Sequence, residues 1–81
     1  MTLANAVAFF VENHPAAPPD SVGGLRCSAE SAGWLVQLFF LDANGKVVPT
    51  GKAPTRAYIA DRIDDELKAA LAGKEVLVFT P

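Results

Sequence analysis

Nine consecutive residues, Gly33-Trp34-Leu35-Val36-Gln37-Leu38-Phe39-Phe40-Leu41, constrain this chain more than any other stretch. The run is too short for a membrane-crossing helix, which takes about 20 apolar residues. Its aromatic and branched content reads instead as a strand. Side chains alternate across a strand, so Trp34, Val36, Leu38 and Phe40 share one face while Leu35, Gln37, Phe39 and Leu41 share the other. Both sets are mostly apolar. A strand of this kind needs cover on each side, whereas a hairpin with one wet face would alternate apolar with polar.

The remaining elements are read around that strand. Leu3, Val7, Phe10 and Val11 fall at i, i+4, i+7 and i+8, which predicts a short helix ending near Asn13 with Thr2 as its N-cap and those four residues facing the core. Ala6 and Phe9 lie off that stripe, with Phe9 expected to cover the edge of the core. From His14 to Gly24, three prolines and two glycines predict a connecting loop. Leu25 to Ala29 alternates and reads as a first strand; residues 30–33 turn into the central strand, and Asp42-Ala43-Asn44-Gly45 turns out of it, its Asn-Gly pair tolerating positive φ. Lys46-Val47-Val48 is the expected third strand, stopped by Pro49, which cannot donate to a ladder. Ile59, Ile63, Leu67, Ala70 and Leu71 then recur at helical spacing, predicting a helix from Thr55 to Ala72 closed by Gly73. Glu75 to Phe79 reads as a fourth strand, with Pro81 at its end.

The order is α-β-β-β-α-β: a single α+β domain spanning residues 1–81, a two-layer sandwich in which two helices pack on one face of an antiparallel meander. Eighty-one residues hold one small core, burying about 60–65% of the surface that the unfolded chain exposes. A single cysteine, Cys27, excludes an intrachain disulfide. Together with an N-terminal stretch lacking a basic signal-peptide region, this points to a cytoplasmic chain.

The first five elements resemble, in order alone, the double-stranded-RNA-binding domain. That resemblance implies a lysine cluster at the start of the second helix. The corresponding stretch, Lys52-Ala53-Pro54-Thr55-Arg56, offers two basic residues, and Asp64-Asp65-Glu66 follow it. A formal net charge of −2 and a pI near 5.1 also argue against nucleic acid as a partner.

Four clusters carry chemistry. Gly51, Lys52, Thr55 and Arg56, placed by this reading at a helix N-terminus, could hold a small phosphate or carboxylate anion, because free amides and the helix dipole favour negative charge there. Asp42, Asn44 and Gly45 resemble the start of a calcium loop but lack its glycine at position six and its glutamate at twelve, so they read as a turn and no metal is implied. His14 and Cys27 are a base and a nucleophile with nothing in the sequence to unite them. Asp61, Asp64, Asp65 and Glu66 form an acidic helix face, which suits solvent or a basic partner better than a sheltered carboxylate pair. No catalytic constellation and no cofactor follow. The expected function is a non-catalytic protein-interaction module or accessory subunit, a homodimer or a partner to another protein, that uses the two-faced apolar strands as its contact surface, with Trp34, Phe39 and Leu41 as anchors.

Overall fold

The computed structural model describes residues 1–80; the terminal Pro81 lies outside them. The chain runs through helix α1 (Leu3–Asn13), a 3-10 turn (His14–Ala16), strands β1 (Val22–Glu30), β2 (Gly33–Leu41) and β3 (Arg56–Ala60), helix α2 (Asp65–Leu71) and strand β4 (Leu77–Phe79). The strands form one antiparallel sheet in the order β3-β2-β1-β4, with both helices on the same face. The α+β two-layer class and the element order agree with the sequence.

α1 starts as its sequence dictates. The Thr2 hydroxyl accepts from the Asn5 amide at 3.1 Å, and the Asn5 side chain accepts from the Thr2 amide at 3.1 Å. This reciprocal cap satisfies two of the helix's free donors. Its rotation differs from the expected one. Ala6, Phe9 and Phe10 are buried, whereas Val7 and Val11 are 42% and 71% exposed. The apolar arc of α1 is wider than the sheet beneath it can cover, and the two phenylalanines, having more surface to bury, take the inward positions.

β1 starts earlier than expected, at Val22, so the Gly23-Gly24 pair is strand rather than loop. A Cβ on Gly23 would stand 2.6 Å from the Phe10 ring, and one on Gly24 would stand 2.5 Å from the Phe39 ring. One phenylalanine therefore rests on bare backbone from each side of the sheet. Gly23 is paired with Phe40 and Phe79 in the neighbouring strands, which brings Phe10 to 5.5 Å from Phe40 and 4.9 Å from Phe79, centroid to centroid. With Leu25, Val36 and Leu38 from the sheet and Ile63 and Leu67 from the second half of the chain, these rings form the core.

The long helix expected over residues 55–72 is divided. Residues 56–60 are β3, paired with β2 from Trp34↔Ala60 to Leu38↔Arg56, and only residues 65–71 are helical. The i, i+4 spacing of Ile59 and Ile63 is fortuitous. Ile59 is 49% exposed on the open side of the sheet, and Ile63 is buried in the connection that follows β3. An unpaired edge of β2 outweighs local helical periodicity, because its backbone donors and acceptors need partners. Asp64, in extended conformation, accepts from the Leu67 amide at 2.9 Å and caps α2. Gly73 follows the helix with φ +71, as expected of its terminator.

Lys46–Val48, expected as the third strand, makes only a single bridge, Leu41↔Val47, with the Val48 amide donating to Phe40 O at 2.8 Å. Pro49 stops the pairing there, and β3 takes up the same edge of β2 further along. β4 is shorter than expected and lies on the opposite edge, antiparallel to β1.

The close approaches at Gly23 and Gly24 set a direct test. Gly23→Ala and Gly24→Ala should each cost about 1–3 kcal/mol, since a ring must shift to admit the methyl. For a domain this size that lowers Tm by about 4–8 °C per kcal/mol. Gly51→Ala, which meets nothing within 4 Å, should change Tm far less, and thermal unfolding followed by circular dichroism ranks the three.

Candidate functional site

The two faces of the sheet separate the expected interface residues. Trp34 lies on the helix-covered face, set between Ala29 of β1 and Ala60 of β3, and packs against the core. Phe39 and Leu41 lie on the opposite face, so the three cannot anchor one surface. Phe39 is 9% and Leu41 8% exposed. Phe39 is covered partly by its own neighbours, in a shallow depression bounded by Arg26, Gln37, Val47 and Ala57. The apolar groups left open on this face are at its margins: Val47 at 59%, Ile59 at 49% and Val78 at 51% exposure. Neither helix reaches it.

Gly51, Lys52, Thr55 and Arg56 do not stand at a helix N-terminus. They occupy the turn after Pro49 and the start of β3, while the true start of α2 carries Asp64, Asp65 and Glu66. Those acids complement the helix dipole and leave no electrostatic place for an anion. Arg56 has its guanidinium carbon 5.1 Å from the centre of the Phe9 ring, where it caps the edge of the core. The acidic start of α2 also departs from the lysine cluster of double-stranded-RNA-binding domains.

The Asp42 carboxylate accepts from the Asn44 and Lys46 amides at 2.8 and 3.0 Å, and Gly45 takes φ +78. These bonds build a turn. Among the described residues no group of three or more His, Cys, Asp or Glu side chains is placed to hold a metal ion, and no helix is long and apolar enough to cross a membrane.

His14 and Cys27 are far apart. The His14 Nε2 donates to the Ser21 carbonyl at 3.2 Å, just before β1, and Cys27 is six strand residues beyond Ser21, about 20 Å at the usual rise. Burial pushes the Cys27 thiol above its ordinary value, against a smaller opposing pull from the Met1 ammonium. Burial likewise raises the Tyr58 phenol, with Arg56 opposing and Cys27 adding to it. A thiol held protonated is a poor nucleophile.

The concave site that the sequence did not disclose lies between α1 and the β1–β4 side of the sheet. It is a cleft of about 410 Å³ with Phe10, Phe40 and Phe79 as its aromatic lining, Val7 and Val11 overhanging it, and His14 beside them. Val7, Phe10, Val11 and His14 follow each other at i, i+3, i+4 and i+7 along one side of α1, a legible stripe whose natural reading is core.

Comparison with known protein families, curated proteins and solved structures returned no match.

The raised Cys27 and Tyr58 values bear on pH. Both groups keep their protons longer folded than unfolded, so the stability they contribute is complete below the ordinary thiol value of 9.0 and is lost as pH rises through their folded values. At pH 8, iodoacetamide should therefore alkylate Cys27 more slowly in the native chain than in urea. Equal rates would show an exposed, unperturbed thiol.

Proposed function

We propose that this chain is a small non-catalytic interaction module that pairs with a second copy of itself through the open face and edges of its sheet. One observation carries the reading: Val47, Ile59 and Val78 stand 49–59% exposed on the face that neither helix covers. Ile59 and Val78 lie on the two edge strands, whose outer backbone groups are the natural continuation of the ladder. The anchors are these marginal residues. Trp34 belongs to the other face, and Phe39 and Leu41 form the buried floor between them. A standard interface draws on about 800 Å² per partner, roughly a sixth of the 5054 Å² that this chain exposes. A second copy brings the same apolar face, as a two-fold contact requires.

The non-catalytic part of the reading is supported by the distance between His14 and Cys27 and by the burial that raises the thiol above its ordinary value. The acidic residues around Asp64 serve as cap and dipole partners rather than as a sheltered pair.

Light scattering behind a sizing column, across about a hundredfold range of concentration, tests the proposal. The expected mass approaches twice 8.5 kDa at the upper end. The double variant Ile59→Asp/Val78→Asp should remain at the single-chain mass with an unchanged melting curve, since both side chains are already half in water. A wild-type chain that stays single throughout, or a variant that pairs as well as wild type, removes the open sheet face as the self-association surface.

A further inference from the structure

We infer that the cleft between α1 and β4 is a binding site for a small apolar molecule carrying one hydroxyl group. The first argument is the phase of α1. Val7 and Val11 belong to the apolar stripe of this helix, yet they are 42% and 71% exposed, and they overhang the cleft rather than the core. The stripe is completed by a guest, because folding alone leaves it facing water.

The second argument is shape and lining. Phe10 stands beside the valines on α1, and Phe40 and Phe79 of the sheet form the wall opposite, with Gly23 bringing bare backbone to the base. A cleft of about 410 Å³ lies within the roughly 300–1,000 Å³ typical of small-molecule sites. An apolar cavity of roughly 150 Å³ holds one benzene, so this volume suits one ring with a short alkyl chain. Water gains little there, since only His14 and Thr80 bring polar side chains to the lining.

The third argument fixes the polar end. The Ser21 carbonyl can only accept, so the His14 Nε2 is the donor, and the tautomer with its hydrogen there has a lone pair at Nδ1. That nitrogen makes no hydrogen bond among the described residues. It suits a ligand hydroxyl as donor, with the apolar body of the ligand laid across the phenylalanines.

4-Butylphenol is the probe, with butylbenzene as its counterpart lacking the hydroxyl, titrated into the full chain labelled with nitrogen-15. Saturable amide shifts are expected at residues 7–14, at Gly23 and at residues 79–80, with butylbenzene binding the same place several-fold more weakly for want of about one hydrogen bond. Val11→Asp should weaken both ligands by about tenfold or more, since it sets a charge against the apolar body, and its melting curve should match wild type because Val11 is exposed. His14→Ala should abolish the preference for the hydroxyl. Shifts that never saturate, or that fall on Ile59 and Val78 instead, overturn the site; a hydroxyl preference that survives His14→Ala overturns its polar end. Self-association is read separately, by mass, and neither outcome here decides it.

Discussion

Two glycines near the start of a strand hold this fold together. A strand interior is a poor place for glycine, which loses the most backbone entropy on ordering and offers no side chain to pack. Gly23 and Gly24 are tolerated there because each lets an aromatic ring rest directly on the backbone, Phe10 from the helix side and Phe39 from the open side. The first contact fixes the height of α1 above the sheet. It also lets Phe10 reach both Phe40 and Phe79, and so ties the first helix to the central and last strands. The second contact sinks Phe39 into the sheet and makes its floor flat, leaving only marginal side chains raised above it.

The dependence runs further along the chain. With α1 seated on Gly23, its N-terminal end meets the connection between β3 and α2: the Met1 ammonium donates to the Arg62 carbonyl at 3.0 Å and the Asp64 amide donates to the Met1 carbonyl at 3.1 Å. Tyr58 of β3 donates to the Met1 sulfur at 3.4 Å. The start of α2 is thus held from one side by its own Asp64 cap and from the other by the first residue of the chain. A helix of seven residues is too short to persist by itself in water, so these attachments and the burial of Leu67 are what maintain it.

How much of this the sequence discloses follows the range of the forces involved. Local signals were legible: the Thr2 cap, the terminator at Gly73, the turn at Asp42 and the two-faced character of β2 each depend on residues within a few positions. The division of residues 55–72 was not, because helical spacing from Ile59 to Leu71 is a local fact while the need of β2 for a partner is not. Asp64 followed by Asp65 and Glu66 was the available sign of a later helix start. The anion site at Gly51, Lys52, Thr55 and Arg56 fell with that boundary, since it required a helix beginning where a strand begins. Gly23 and Gly24 read as loop because glycine spacing says nothing about which ring will come to rest on it. The cleft was hidden for a related reason: Val7, Phe10 and Val11 are indistinguishable from a core stripe until the rotation of α1 is known.

That rotation also accounts for why so small a chain leaves two apolar surfaces open. Helices of eleven and seven residues measure about 16 and 10 Å along their axes at 1.5 Å per residue, against a four-stranded sheet about 19 Å wide at the usual strand spacing. They can cover the middle of one face and nothing of the other. With Phe9 and Phe10 both turned inward, α1 stands over the centre of its face, and its Val7–Val11 flank overhangs the β4 side. The two uncovered surfaces consequently differ in kind. The open face is broad, shallow and continuous with two strand edges, which suits a partner as extended as itself. The cleft is concave, bounded by rings and closed at its base by Gly23, and a sheet cannot enter it. More helix on the covered face would close the cleft and still leave the open face bare, so the cavity available to a small guest descends from the shortness of the helices, and the surface available to a second copy from their lying on one side of the sheet.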